Sequence, residues 1–293
     1  MRNIIAIIVA TVACTLALTA CGGDGDGSGN DSTLSRADEG IWSYIGVNQG
    51  SFGFYDQTVM QAVVLSDGTY WGISGGTEDG LFSALDILHG TASVDDGKAS
   101  GTYMDFRSGS PGTMSVFSEY VDGTYAGTAS EKNNLDLIFN SDPDPMTNIS
   151  IWSNVNFNMG YDNIYNQPAS LAAIAGDYQQ AIVTDISSLP LDPSLPSSNY
   201  KLSISGSNLT LVESDTGNVM FNGTIAPHGT VNVFDVSLTA TAASETSGNI
   251  FMPSIPAGTT YKGILFQTSG ALKNYIELVT AAGNNVFFYI GTK

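Results

Sequence analysis

The chain has 293 residues, with 9 Lys+Arg against 28 Asp+Glu and a formal charge of −19 at pH 7. A field of that sign repels phosphate backbones and anionic lipid surfaces, which excludes nucleic acid as a partner and leaves cations, cationic peptides and neutral sugars. With 33 Gly and only 13% charged residues, the composition is that of a turn-rich β protein.

Arg2 is followed by an apolar run from Ile4 to Leu18. That run of about 15 residues is short for a membrane span, which needs ~20, and reads as the h-region of a signal peptide. Leu18-Thr19-Ala20-Cys21 then matches a lipobox, predicting cleavage after residue 20, lipid on the Cys21 thiol and attachment to a membrane through that lipid. Gly22 follows the cysteine instead of Asp, which under the sorting rule for bacterial lipoproteins directs the protein to the outer membrane of the cell envelope. Cys14 leaves with the leader. The mature chain keeps only Cys21, so no disulfide pair remains and thiolate metal sites and catalytic thiols are excluded. Losing Arg2 leaves 8 basic against 28 acidic residues, 8 − 28 = −20.

Residues 21–37 carry GGDGDGSGND and read as a lipidated cysteine and flexible linker. Asp24-x-Asp26 lacks the further ligands and closing Glu of a calcium loop and belongs to that linker.

From Gly40 onward, short alternating runs are broken by turn dipeptides. Gln61 to Leu65, Ser66-Asp67-Gly68 and Thr69 to Gly72 predict a hairpin with a type I′ turn. Turns are also expected at Asp79-Gly80, Asp96-Gly97, Asp122-Gly123, Ser205-Gly206, Thr216-Gly217 and Ser269-Gly270. Leu81 to Leu88 and Ser170 to Ala175 have some helical character, but both are short and the sheet reading prevails.

An internal repeat emerges in the same order in both halves. Gly40-Ile-Trp42 matches Gly176-Asp-Tyr178, and Leu88-His-Gly-Thr-Ala92 matches Phe221-Asn-Gly-Thr-Ile225. Thr124-Tyr-Ala-Gly127 matches Thr260-Tyr-Lys-Gly263, and Leu135 to Phe139 matches Tyr275 to Val279. The reading is all-β: two tandem, internally repeated antiparallel domains, barrel or sandwich, at 40–165 and 171–293, after the signal peptide and linker.

At the joint, Tyr161-Asp162-x-x-Tyr165-x-x-Pro168-Ala-Ser-Leu resembles a segment of uncharacterised proteobacterial two-domain all-β lipoproteins. Asp67-Gly-Thr-Tyr-Trp71, Asn232-Val-Phe-Asp235 and the closing Phe287 to Lys293 carry the same resemblance, which spans most of the mature chain. It implies two β domains and no particular activity. Relatives often place a cysteine just after the glycine matching Gly217 and a second later in the same sheet. Here Asn218 stands at the first position and the second half has no cysteine.

The catalytic motifs are weak. Gly72-Ile-Ser74-Gly-Gly76 fits G-x-S-x-G, but it lies in a hairpin meander without the helix an elbow needs and reads as a loop. His89 and His228, one per half, are not equivalent in the repeat and read as surface or turn histidines without metal partners. Asp95-Asp96 and Asp142-x-Asp144 are explained by turn chemistry. Most of the clustered aromatics, Trp42, Tyr44, Tyr70, Trp71, Trp152 and Phe157, are expected in a core. Phe52, Phe54 and Tyr55, in Gly50-Ser-Phe-Gly-Phe-Tyr, read as a loop suited to partner contact. No enzyme, cofactor or metal is expected. The favoured reading is an envelope lipoprotein that binds a protein or glycan through its β domains. A structural or assembly-accessory lipoprotein is the alternative, and a secreted hydrolase ranks third.

Overall fold

The computed structural model describes residues 36–47, 57–78, 81–112, 114–117, 120–143, 152–180, 200–241, 256–269 and 275–293. The predicted leader, Cys21 and Phe52, Phe54 and Tyr55 lie outside them. In the first half the strands are β1 (Gly40–Val47), β2 (Gln57–Val64), β3 (Thr69–Glu78), β4 (Leu81–Asp95), β5 (Lys98–Gly112), β6 (Met114–Phe117), β7 (Tyr120–Ser130), β8 (Asn134–Ser141) and β9 (Val155–Tyr161). A 3-10 turn at Asn163–Asn166 and a one-turn helix α1 (Leu171–Ile174) form the joint. The second half has β10 (Gly176–Gln180), β11 (Tyr200–Ser205), β12 (Asn208–Glu213), β13 (Val219–Pro227), β14 (Val233–Ala240), β15 (Thr260–Phe266), β16 (Tyr275–Ala282) and β17 (Asn285–Thr292).

Each half is an eight-stranded antiparallel barrel, which settles barrel against sandwich. The first closes where β1 pairs with β9, and the second where β10 pairs with β17. The repeat holds strand by strand: its four matches fall on the first, fourth, sixth and seventh strand of each barrel. Its glycines mark places where neighbouring backbone leaves no room for a side chain. A Cβ on Gly90 would sit 1.9 Å from the Thr102 carbonyl oxygen, and one on the equivalent Gly223 would sit 2.2 Å from that of Ser237. Gly127 and Gly263 meet the Asp136 and Val279 carbonyls in the same way. The fourth match is on the right strand but slipped by three residues. Gly127 pairs with Leu137 while Gly263 pairs with Thr280, so Leu135 corresponds to Leu278. Burial of both faces of β16 removes the alternation that would have set its register.

Three apolar cores result. Trp42, Tyr70, Tyr103, Phe139, Trp152 and Phe157 fill the first barrel. Tyr178, Phe221, Phe234, Tyr261, Phe287 and Tyr289 fill the second. A third core lies between the barrel walls, where Ile41, Val59, Val63, Trp71 and Ile73 meet Val233, Ile264, Phe266, Val279, Phe288 and Ile290. Outward-facing residues of the far walls are exposed, as the alternating burial of β7 and β8 shows. Apolar inside and polar outside along these strands is the inverse of a membrane-spanning barrel.

The joint is pinned by side chains. Asp162 caps the 3-10 turn through the Ile164 N–H and accepts hydrogen bonds from the N–H and hydroxyl of Ser269, each 2.6 Å long. The Tyr165 hydroxyl donates to Glu39 at 2.9 Å, and the Asn232 N–H donates to the Tyr165 carbonyl. The Tyr-Asp-x-x-Tyr segment is therefore a fastening between barrels. A further link is β6, which leaves the connection between β5 and β7 to pair with β17 of the other barrel from Met114↔Tyr289 to Phe117↔Val286.

Several local expectations change. Asp96 and Gly97 both have positive φ, as a type I′ turn requires, whereas at Asp67-Gly68 only Gly68 does. There the Gly68 N–H bonds the Leu65 carbonyl and the Leu65 N–H bonds that of Thr69, giving a three-residue turn with glycine in the left-handed position. Asp122-Gly123 is no turn: it lies within β7, and Gly123 is required because the Tyr103 ring fills the space of its Cβ. Ser170 to Ala175 does form a helical turn, with the Ser170 hydroxyl accepting from the Ala173 N–H. Arg36, placed in the linker by composition, is held by Asp38 and by the Ala92 carbonyl at 2.6 Å.

Candidate functional site

Outward-facing side chains of β3, β4, β5 and β7 build a row across the first barrel. Thr69 pairs with Thr91, Thr91 with Thr102, and Thr102 with Thr124; Asn140 on β8 continues the line. Neighbouring strands place these groups about 4.8 Å apart. The Thr91 and Thr102 hydroxyls are 3.3 Å apart. Every threonine in the row follows a glycine, at Gly68, Gly90, Gly101 and Gly123. Three of these glycines lie within strands, and their missing side chains let rings and backbone pack closely beneath the row. A Cβ on Gly101 would meet the Tyr125 ring at 2.4 Å, and one on Gly123 would meet Tyr103 at 2.2 Å. The Tyr125 hydroxyl donates to the Thr91 carbonyl, which ties the row to the barrel interior.

The row floors a groove of about 560 Å³ that is also lined by His89, Met104, Asp122 and Asp142. Both aspartates are exposed, and the Asp142 N–H bonds the Asp122 carbonyl at 2.7 Å. The His89 ring stacks on Trp71 with centroids 3.7 Å apart and planes 15° from parallel. Burial holds its pKa below the usual histidine value, against the hydrogen bond to the Tyr70 carbonyl. The neutral ring thus carries its proton on Nδ1, donating to that carbonyl, and leaves Nε2 as an acceptor. Hydroxyls, carboxylates and one neutral ring can exchange hydrogen bonds with an uncharged polyol; among the described residues the groove lining contains no cation to attract a phosphate.

A second groove, of about 490 Å³, lies between the barrels and shares Thr69 with the first. Asp67 and Trp71 face Asp235, Ser237, His228 and Lys262 there. His228 Nδ1 lies 2.8 Å from Asp235 Oδ1. Burial pushes the Asp67 carboxyl up, but hydrogen bonds from Thr69 and the neighbouring His228 outweigh it and hold Asp67 below the ordinary carboxylate value. Trp71, only 4% exposed, lines this groove while supporting His89 at the edge of the other.

Other sequence candidates separate. Ser74 is not in a loop but within β3, fully buried, with its hydroxyl directed at the Val59 carbonyl. The flanking glycine is again steric: a Cβ on Gly72 would meet the Tyr70 hydroxyl at 2.7 Å. Ser74 lies on a barrel strand and lacks the geometry of a nucleophile elbow. Asp95 and Asp96 stay at the β4–β5 turn, away from both grooves. His89, expected at the surface or in a turn, is a half-buried strand residue. Among the described residues no group of three or more His, Cys, Asp or Glu is placed to hold a metal. The threonine row went unread because its members are 11 to 22 positions apart and meet only through strand register. The recurring Gly-Thr dipeptide was the available signal.

No family model and no curated protein matches the chain. Among solved structures it is similar to the Aeromonas veronii immune modulator A, at a TM-score of 0.37 and 8% identity over 87% of this chain and 94% of that one. An overlap this loose says nothing of activity.

Proposed function

We propose that this chain is a non-enzymatic cell-envelope lipoprotein that binds a neutral glycan in the threonine-floored groove of its first barrel. The observation that carries the reading is the row Thr69, Thr91, Thr102 and Thr124, set beside Asp122, Asp142 and the neutral His89 ring in one groove. Three further features support it. Large side chains occupy both barrel interiors, which directs a ligand to the outer surface. The net charge of −19 disfavours anionic polymers. Several polar side chains converge on this one groove, as the orienting groups of a small-ligand site do.

Lipid on Cys21 anchors the protein to the outer membrane in this proposal. The cysteine thiol acts only as the acyl acceptor. A protein partner is the second reading, favoured by Phe52, Phe54 and Tyr55 in the connection between β1 and β2.

Delipidated mature chain applied to an array of neutral and acidic oligosaccharides tests the first reading. Retention of neutral glycans, lost in Thr102→Val and Asp142→Asn, is expected. Binding confined to acidic glycans, or unchanged in both variants, rejects it. Labelling with a radioactive fatty acid tests the anchor: Cys21→Ser should take up no label, and normal labelling of that variant contradicts lipidation at this position.

A further inference from the structure

Among the described residues, the buried core between the barrels holds a small knot of polar side chains set among apolar ones. Gln61 on β2 projects across it and donates from Nε2 to the Thr268 hydroxyl at 3.1 Å. Glu277 on β16 lies beside Gln61 with no solvent exposure. Its strand partners are Phe266 and Ile290. Among the described residues neither carboxyl oxygen has a hydrogen-bond partner, and neither does Gln61 Oε1 or the hydroxyl of Ser43, the strand neighbour of Gln61.

A buried carboxylate survives only when a cation or several donors face it. Gln61 faces this one, with apolar side chains from β15 and β17, and no charged group among the described residues acts on it. The nearby joint carboxylate, Asp162, is taken up by Ser269 and the Ile164 N–H. Tyr165 at the same joint is bonded to Glu39. The Glu277 site therefore suits a neutral carboxyl and resists an ionised one.

We propose that Glu277 is a proton lock on the seam: the barrels stay pressed together while its carboxyl is protonated, and raising the pH loosens them along the β2–β16 wall. Burial holds its pKa well above the ordinary carboxylate value, with the Gln61 contact acting the other way. The sign follows from linkage. In the opened state Glu277 ionises near its ordinary value of about 4.3, while in the closed state it stays neutral. Below that value both states hold the proton and the seam is at full strength. Above it, each pH unit weakens the closed state tenfold (about 1.4 kcal/mol) until the closed-state pKa is reached.

Hydrogen exchange of the full mature chain between pH 4.5 and 7.5, corrected for intrinsic rates, tests this in wild type and Glu277→Gln. In wild type, protection along β2, β16 and β17 should fall up to tenfold per pH unit, while β7 and β8 keep theirs. Glu277→Gln should keep seam protection flat across the range. Thermal unfolding of both proteins checks that the variant folds, and Glu277→Met serves if it does not. Parallel pH profiles in wild type and variant overturn the proposal, and so does an equal loss of protection in seam and outer strands.

Discussion

The strands that face the other barrel and the strands that face solvent are built from the same fold to opposite ends. β2 and β17 bury both faces almost without interruption, whereas β7 and β8 alternate buried and exposed residues along their length. Sequence reflects this: Val59 to Leu65 and Val286 to Ile290 are nearly continuous apolar runs, while Thr124 to Ser130 sets small polar residues between core positions. The seam wall holds the barrels together, and the buried Glu277 carboxyl is the group proposed to make that contact sensitive to pH. In the proposal the outer wall carries the recognition groove, and its exposed residues contribute little to stability. The same repeat thus supplies two surfaces that respond to mutation in different ways.

Cutting the chain at the joint should break the comparison most severely. Fragments 36–166 and 168–293 each expose one side of the third core, so their melting temperatures should fall well below that of the intact chain, with association or aggregation seen by light scattering. Two monomeric fragments with the stability of the whole would show that the seam is not a core. Single truncations sharpen the contrast. Phe288→Ala should cost about 3–5 kcal/mol in denaturant unfolding, whereas Ile138→Ala on the outer wall should change stability by less than ~1 kcal/mol. Glycines give a smaller and more local version. Gly127→Ala drives a methyl into the Asp136 carbonyl and should cost about 1–3 kcal/mol, while Gly160→Ala, with open space around it, should be close to neutral.

Much of the fold could be read from these residues. Alternation and turn dipeptides identify the strands, and the repeat places equivalent strands in both barrels. Three things stayed hidden for physical reasons. Continuous burial erased the register of β16, because without a solvent face there is no alternation to read. Glycine between a turn-favouring aspartate and threonine looked like a turn at Gly123, yet it serves the close approach of the Tyr103 ring, a contact between distant residues. The exchange of β6 leaves no local mark, since pairing with β17 depends on how the barrels are set together. The candidate site was less legible. Asp142 stood out only within an Asp-x-Asp turn cluster and His89 only as a lone histidine, and the threonines that join them are neighbours only across the sheet.

The smallest effect expected concerns His89. Its depressed pKa means that the folded protein loses stability as pH falls below the ordinary histidine value of about 6.5, because the unfolded chain takes up the proton first. NMR titration of the imidazole should give a midpoint below that value, and Trp71→Leu, which removes the stacked ring, should bring it back toward the ordinary value. A midpoint at or above 6.5 in wild type would remove the neutral ring from the groove.

The most direct measurement of the recognition claim is an amide chemical-shift titration of the delipidated mature chain with a neutral oligosaccharide. Saturable shifts should centre on Thr69, Thr91, Thr102 and Thr124 and on Asp122 and Asp142, leave the seam strands unmoved, and vanish in a Thr91→Val/Thr102→Val variant that melts at the wild-type temperature. Shifts confined to the connection carrying Phe52, Phe54 and Tyr55, or an unchanged response in the double variant, would contradict the account.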